Sequence, residues 1–560
     1  MKVNRKFLRS AERLSLSAIA KDSAAQKIVS AVTAIGFVMQ PVAALASTIT
    51  RADKPNENLA NGSVTNIFAE TVVGNVAINK FAEFKLDANN IANMYFGKDK
   101  DNNKAGNLVN FVNSRIDING TVNAIQNKKI GGNLFFFSSD GMAVGKTGVI
   151  NAGALYVATP TKSAFDEYKA FNSEDQFNKI IKDEGFAKIP INASGTISVL
   201  GKVNAVNAVN MRAAKIGVGK NVSENAIGDV AAGATATDAS IRTGVVDFKD
   251  IVNIGKVKSD LTGNALKATK DGSGDIVLAA SNNYNYNYSM LDDFSKIAGA
   301  KVEAELSVAN GAEVKATGNA KLSAQALNNV VVEKSDQSTN IKENYTPSTT
   351  TNSHLYGQIV TTNATVNVDG TVEATQVDIT ADAVNRYVSA ESSVLNASNV
   401  TSNIVGALTA NLDASYAVLN SKAEVNVGQS AEINATGSDT VSAGKVVKPA
   451  LNIKANSSVE AGAGASTALL KVMNVAGTNI IPAAAVTYSQ THNEAAVNID
   501  GTLKSTGGTS VTALANSKVN SEAKATTMDV SENPNLGDVA LNITTGDNKS
   551  SVTIGKTAQM

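Results

Sequence analysis

The feature that most constrains this 560-residue chain is a short motif that recurs along it. Alternating apolar and polar residues lead into Gly, then Thr, then another apolar residue. Three copies put Asn or Asp directly before the Gly, and a fourth has Ser there. The copies are 116–122 (IDINGTV), 191–197 (INASGTI), 366–372 (VNVDGTV) and 497–503 (VNIDGTL). Alternation predicts strands with one buried face, and Asn/Asp-Gly predicts a turn whose glycine accepts a positive φ. We therefore expect an all-β protein.

The apolar anchors of this pattern recur at a long period in the second half of the chain. They end at Val308, Val368, Val427 and Ile499, so the intervals are 60 (368−308), 59 (427−368) and 72 (499−427) residues. Sixty residues correspond to about three turns of a parallel β-helix at roughly 20 residues a turn. We predict a right-handed parallel β-helix of roughly 20–25 coils, on the order of 100 Å long. The surplus in the last interval is expected to loop out around 437–440.

Composition supports thin, repetitive layers rather than large globular cores. Aromatic residues make up 5% of the chain and Trp is absent, so Val, Ile and Ala must fill the interior. In stacked coils, equivalent positions form ladders, with Val and Ile inside and Asn hydrogen-bonding along the stack at corners. The alternative is an array of antiparallel sandwiches, which would need a hairpin signal every 8–12 residues.

The early part of the chain is richer in large apolar side chains than the rest. Of the 16 Phe residues, 12 lie between Phe68 and Phe186. We predict a better-filled domain there that caps the N-terminal end of the coils, where strand edges would otherwise be unpaired. Residues 163–184 have helix-like spacing, which predicts a short amphipathic helix, broken at 172–173, on the flank of the coils. Its apolar residues are Phe165, Tyr168, Phe177, Ile180 and Ile181.

The first 46 residues have the three parts of an export signal. A Lys- and Arg-rich region reaches residue 27, an apolar segment runs from Ile28 to Val38, and Ala44 and Ala46 form an A-x-A-like site before Ser47. The apolar segment is too short for a transmembrane helix of about 20 residues. The alternative, an amphipathic helix of a cytosolic protein, does not explain the A-x-A site. The absence of cysteine suits a chain that crosses an oxidising compartment unfolded.

One string in this region resembles a phosphate-binding loop. Residues 141–148 read GMAVGKTG, but the loop needs Gly five residues before Gly145, and that position is Asp140. A carboxylate there would repel phosphate, and the residues that follow, 148–153, are expected to be a strand rather than a helix. We therefore interpret NLFFF (133–137) as a buried strand and SSDG as a tight turn. Lys146 is then expected to be a solvated side chain.

Little else suggests chemistry. His354 and His492 lie in polar, turn-like sequence and are predicted to be surface residues. Lys plus Arg and Asp plus Glu number 50 each, so no net field attracts nucleic acid. Lyase or glycosidase chemistry on a β-helix face would need clustered carboxylates and basic residues; since stacked coils bring distant residues together, the sequence leaves this alternative open. We predict that the chain is not an enzyme and uses no nucleotide, metal or other cofactor.

The motif and its surroundings resemble the secretion domain of two-partner secretion exoproteins of the filamentous-haemagglutinin type, and within these the leukotoxin-type filamentous adhesins. That family has L-N-G-T, then an apolar strand, N-P-N-G-I and G-x-I-N. The resemblance covers about residues 1–220, and 81–87 resembles the family's upstream F-x-x-F-x-V strand. The matching positions are Ile118, Asn119, Gly120 and Thr121, then Ser138, Ser139, Asp140, Gly141 and Met142 in place of N-P-N-G-I, then Gly148, Ile150 and Asn151.

This resemblance implies a division into an extended signal peptide (1–46), a secretion domain (47–290) and a repetitive rod (291–560) that is expected to continue beyond its last residue. It implies export through the periplasm by a POTRA-containing outer-membrane β-barrel transporter, to the medium or surface of an outer-membrane-bearing bacterium. The function implied is adhesion to a host-cell receptor or glycan. A cytolysin of the same secretion class and an autotransporter passenger fragment are the alternatives.

Overall fold

The computed structural model describes residues 47–183, 185–248, 263–284, 297–332, 353–389, 412–442, 445–471, 484–529 and 539–560. Residues Thr48–Met560 form one compact unit. The predicted export signal, with Ala44 and Ala46, lies outside the described residues.

Strands dominate the described part of the chain, and they alternate with short turns. In chain order they are β1 (Thr48–Arg51), β2 (Val64–Ile67), β3 (Thr71–Val73), β4 (Val76–Leu86), β5 (Ile91–Tyr95), β6 (Asn107–Val112), β7 (Ile116–Ile118), β8 (Thr121–Gln126), β9 (Lys129–Ile130), β10 (Asn133–Phe137), β11 (Met142–Val144), β12 (Val149–Ala158), β13 (Thr196–Val199), β14 (Lys202–Ala213), β15 (Lys215–Val218), β16 (Ser240–Arg242), β17 (Asp275–Tyr284), β18 (Ile297–Val308), β19 (Glu313–Lys315), β20 (Ala320–Val332), β21 (Ser353–Val368), β22 (Thr371–Ala374), β23 (Val377–Ser389), β24 (Leu412–Val427), β25 (Glu432–Ala435), β26 (Thr440–Ser442), β27 (Lys445–Lys448), β28 (Leu451–Gly462), β29 (Gly464–Lys471), β30 (Ala484–Ile499), β31 (Thr502–Ser505), β32 (Thr509–Val519), β33 (Glu522–Asp529) and β34 (Val539–Ile554).

These strands wind into coils with three faces, and each strand pairs in parallel with its equivalent in the next coil. Face 1 stacks β4, β6, β10, β12, β14, β17, β20, β23, β28 and β32. Face 2 stacks β4, β7, β11, β13, β15, β18, β21, β24, β30 and β34. Face 3 stacks β2, β5, β8, β12, β14, β16, β19, β22, β25 and β31. The predicted parallel β-helix is confirmed, and the antiparallel sandwich array is not what forms.

The predicted coil length is wrong. Val308 pairs directly with Val368, Val368 with Val427, and Val427 with Ile499, so an interval of 60 residues is one coil and not three. The described residues stack ten strands on each face, which spans about 43 Å at about 4.8 Å per step. The later coils are long because β21, β24, β30 and β34 have 16 residues each.

The 72-residue interval contains the predicted loop-out. Between β25 and β28 the chain leaves the coil and forms a separate antiparallel hairpin of β26 and β27, in which Thr440 pairs with Lys448. Its valines, such as Val441 and Val446, are exposed. The extra residues therefore lengthen one coil without disturbing the stack.

The interior is one continuous apolar core that changes composition along the stack. Phe81, Phe84, Phe96 and Phe136 are fully buried in the early coils, whereas Val, Ile, Leu and Ala ladders fill most of the later ones. At the N-terminal end β1 and β3 pair antiparallel with β4. These two strands cap the first coil. Because β15 pairs with β18, the stack is continuous across residue 290; the functional division there stays a prediction.

The predicted flanking helix is present and broken where expected. It consists of α1 (Lys162–Lys169) and α2 (Glu174–Asn178), capped by the side chains of Thr161 and Ser173, and is followed by a π-helical turn at Lys179–Asp183. The helices cover the outside of face 1. Phe165 lies edge-on to Phe111 with ring centroids 6.0 Å apart, and Phe177 lies 5.3 Å from Phe135.

The longer strands of the later coils extend beyond the apolar core and meet through a buried polar seam. The Asn328 amide donates to Gln358 at 3.0 Å and to Asn385 at 2.8 Å. Further along, Ser457 donates to Ser421 at 2.8 Å, and the amide of Asn493 donates to Asn548 at 2.8 Å. The seam links face 1 to face 2 over several coils, since its members come from β20, β21, β23, β24, β28, β30 and β34.

The variant Phe136→Ala tests how much the aromatic core contributes to the stability of the early coils. Phe136 is fully buried and lies 5.7 Å from Phe84, so the variant leaves a cavity and is expected to lose about 3–5 kcal/mol of local stability. Hydrogen exchange of β4, β6 and β10 measures this as faster exchange. The control, Val446→Ala in the exposed hairpin, should not change it; equal protection in both variants would contradict the expectation.

Candidate functional site

The residues matching L-N-G-T form a turn stacked on the coil before it. Ile118 is fully buried and pairs with Leu86 and Val144 of the adjacent coils. The backbone N–H groups of Asn119 and Gly120 both donate to the carbonyl of Leu86, at 2.7 and 3.2 Å. Thr121, also buried, begins β8. At 116–122 the motif therefore marks the corner between face 2 and face 3.

Glycine is needed at this corner for a reason other than the predicted one. A positive φ occurs at neither Gly120 nor Gly370, so that prediction is wrong. A Cβ on Gly120 would lie 2.3 Å from the carbonyl oxygen of Asn90, and one on Gly370 would lie 2.4 Å from that of Ala312. Close approach of successive coils is what excludes a side chain. The residues preceding the face 3 strands from β8 onward are Gly120, Gly148, Gly201, Ala239, Ala312, Gly370, Ala431 and Gly501.

Residues 138–142 form the predicted tight turn. The Ser138 hydroxyl donates to the carbonyl of Ser114 at 2.7 Å and accepts from the N–H of Asp140 at 3.2 Å. Gly141 has φ +99°, and a Cβ there would lie 2.2 Å from the carbonyl oxygen of Thr196. The carbonyl of Ser139 accepts from the Asn192 amide at 2.9 Å. Asp140 itself is exposed, and the buried Met142 starts β11.

The third matching segment enters the core and an asparagine ladder. Gly148 continues the small-residue corner, and Ile150 is fully buried. Asn151 donates to Asn123 at 2.9 Å and accepts from Asn204 at 3.0 Å. Asn123 donates in turn to Asn93 at 3.0 Å, and Asn93 to Asn66 at 3.0 Å. Amide ladders along the stack were predicted, and here they lie inside the face 3 strands.

The string that resembles a phosphate loop is a corner between two strands. Residues Met142–Val144 form β11 and Val149–Ala158 form β12, which confirms the predicted strand after Lys146. Lys146 is about half exposed, but it is not merely solvated. Its ammonium lies 2.8 Å from the carboxylate of Asp229, which belongs to a segment 83 residues later.

That later segment, residues 219–239, is a strap laid over the outside of the coils. Ile227, Val230 and Ala236 pack on Ala143 and Leu200. Within the strap, the side-chain amide of Asn221 donates to the carbonyls of Asn225, Val230 and Ala231 at 2.9–3.1 Å.

Two ion pairs fix the strap to the coils. The first is Lys146–Asp229, in which the hydrogen bond and charge of the lysine hold the pKa of Asp229 below its usual range. The second is Lys220–Glu305, at 2.7 Å. Burial raises the pKa of Glu305, but the hydrogen bond and charge of Lys220, with help from Ser307, outweigh it and leave the pKa below its usual value.

Both histidines lie within strands, so the turn-like surroundings predicted for them are wrong. His354 is in β21 and His492 in β30. His492 is a surface residue, as predicted, and its Nδ1 lies 2.7 Å from Asp547 of the next coil. This partner is 55 residues away along the chain, so no local sequence pattern predicts it.

The described residues contain no group of three or more His, Cys, Asp or Glu side chains placed to hold a metal ion. Within the same residues, no helix has the length and apolar character needed to cross a bilayer.

Comparison with known proteins identifies no relative of this chain. No family model matches the chain, and no curated protein matches it. The resemblance to two-partner secretion exoproteins therefore rests on the motif residues described above, and their roles stay predictions.

Replacing Asn151 by Ala tests the ladder. The change leaves the acceptor of Asn123 and the donor of Asn204 buried and unpaired, so the expected loss is about 2–4 kcal/mol. Chemical denaturation measures this loss of stability, and hydrogen exchange of β8, β12 and β14 locates it in the chain. Asn61→Ala, at an exposed position, is the control and should cost little; an equal effect of the two changes would rule out a special role for the ladder.

Acid should loosen the strap. Because Asp229 and Glu305 have pKa values below the ordinary 3.8 and 4.5, their stabilising contribution is full above those values and is lost as pH falls through the lower folded-state values. Hydrogen exchange of 219–239, corrected for intrinsic rates, should show a several-fold loss of protection between pH 7 and pH 3. The double variant Asp229→Asn/Glu305→Gln should show the looser strap already at pH 7. Protection that is unchanged by acid in the native chain would contradict the expectation.

Proposed function

We propose that this chain is a secreted filamentous adhesin exported by a two-partner (type Vb) system, with its N-terminal region directing export and nucleating the fold. The observation that carries the proposal is the pairing order. In the described residues each coil pairs with the coil before it, starting from a capped N-terminal end. Such a stack can form one coil at a time as a chain emerges from a pore, because every new strand meets an ordered edge.

The composition of the early coils supports a nucleating role. Phe81, Phe84 and Phe136 form edge-to-face contacts at 5.4 and 5.7 Å in the first coils, where no earlier coil provides a template. Aromatic pairs of this kind add about 0.5–1.5 kcal/mol each beyond burial. Later coils, which grow on an existing edge, use smaller Val and Ala ladders.

The positions of the motif residues support an export role that depends on sequence as well as on folding. Gly120, Gly141 and Gly148 are each needed where backbone atoms of adjacent coils meet. Asp140, in contrast, is exposed and has no structural role that would require a carboxylate. In the proposal, exposed positions of this turn are read by a POTRA-containing outer-membrane transporter, and the buried ones start the coils. A cytolysin or an autotransporter passenger remains the alternative.

Deletion separates export from folding. Removing residues 47–220 while keeping 1–46 should reduce the amount of chain in the medium at least tenfold, measured by immunoblot of medium and periplasm in the bacterium that encodes it. The matched control removes 377–508, which takes out two whole coils and rejoins β22 to β32 in register. That variant should be exported within about twofold of the native chain.

If the variant lacking residues 47–220 were secreted as well as the native chain, the proposed export role would be wrong. Lysis of red cells or leukocytes by the purified chain would replace adhesion with the cytolytic alternative.

A further inference from the structure

A groove of about 790 Å³ runs along the outside of face 2, parallel to the axis of the stack. Its floor is formed by residues of β7, β13, β15 and β18, among them Asp117, Thr196, Lys215 and Glu303. From Glu83 of β4 to β18 it crosses five steps, about 24 Å at about 4.8 Å each. One wall is the 222–225 part of the strap and another is the turn at 192–194. The groove is long enough for an extended ligand of several units.

The lining provides both hydrogen-bond donors and acceptors over its whole length. Arg115 holds Asp117 through two hydrogen bonds of 2.8 and 3.1 Å, which presents a fixed planar pair. Lys215 lies 3.8 Å from Glu303. Asn192 is fixed by its bond to the Ser139 carbonyl, and Asp140 is exposed at the groove edge. A ligand hydroxyl can donate a hydrogen bond to the carboxylates and accept one from the guanidinium and ammonium groups, and the amide can do either.

Other extended ligands fit this groove less well. Five carboxylates and three cationic side chains line it, so nucleic acid phosphates would be repelled. The floor strands are already hydrogen-bonded on both sides, so a peptide cannot add to them as a further strand. No aromatic side chain lines the groove, and most of its lining residues are charged or polar, unlike the apolar anchor pockets of protein interfaces.

We infer that this groove binds an oligosaccharide of several units through hydrogen bonds to its hydroxyl groups. The inference deepens the proposed adhesive function and rests on it for the source of the ligand, a glycan of another cell. The turn at 138–142 then has two roles, since Asp140 belongs both to the motif and to the groove edge.

The test uses the purified, fluorescently labelled full chain on an array of oligosaccharides of four to six units, with neutral, uronic acid-containing and amino sugar-containing members. Binding to at least one class is expected. Two variants should reduce it at least tenfold: Asp140→Ala/Lys215→Ala, which removes hydrogen-bonding groups, and Ser194→Trp, which fills the groove from an exposed position. The class that binds distinguishes neutral from charged glycans.

The control is Asp53→Ala/Lys202→Ala, which makes the same change in charge at exposed positions that do not line the groove. It should bind as the native chain does. Circular dichroism melting of all three variants establishes that they are folded. No binding to any oligosaccharide, or binding that survives both groove variants, would overturn the inference. Because no transporter is involved, either result leaves the export proposal to its own test.

Discussion

A column of backbone hydrogen bonds at the corner before face 3 holds the coils at a fixed distance, and the rest of the structure depends on it. The N–H of the first residue of each face 3 strand donates to the carbonyl of the corner residue one coil earlier. Such bonds join the N–H of Val149 to the carbonyl of Gly120, that of Lys202 to Gly148, and so on along the stack to Thr502 and Ala431, at 2.9–3.2 Å. From Gly120 onward the corner holds only Gly or Ala, and at Gly120 and Gly370 even a Cβ would lie within 2.4 Å of a carbonyl oxygen of the coil before. Once the spacing is fixed there, equivalent residues everywhere else are brought into register.

Fixed register turns weak side-chain preferences into continuous ladders. An isolated buried asparagine would cost free energy, but in the Asn66-to-Asn204 ladder each inner amide donates to one neighbour and accepts from the next. The seam of the later coils is bonded differently: Asn328 donates to both Gln358 and Asn385, and Asn385 donates to the backbone carbonyls of Val360 and Asn420. Surface ion pairs between coils, such as Lys504 with Glu432, are exposed and add little by comparison.

The sequence predicted what depends on local pattern. The β-helix, the buried NLFFF strand, the turn at Gly141, the broken helix and the looped-out hairpin all follow from alternation, turn residues or helical spacing. The coil length could not be obtained in this way. A 60-residue repeat fits one long coil as well as three short ones, and only the pairing of Val308 with Val368 decides between them. The same holds for the positive φ predicted at Gly120, because the obstacle to a side chain there is the carbonyl of Asn90 in another coil.

The groove and the strap could not be predicted from the sequence, because both depend on contacts between different coils. They also constrain the order in which the parts of the protein can form. Residues 222–225 form a groove wall, and the strap to which they belong is tied by Lys220 to Glu305, 85 residues later. In a chain that folds from its N-terminus, the motif turn at 138–142 is complete before β18 exists. Lys146 and the packing on Ala143 and Leu200 hold the strap before that, but the β18 part of the groove floor, with Lys301 and Glu303, is added only when β18 has paired with β15. If the early coils serve export, the ligand groove is therefore assembled afterwards, on the far side of the pore, so one turn can serve export first and binding later.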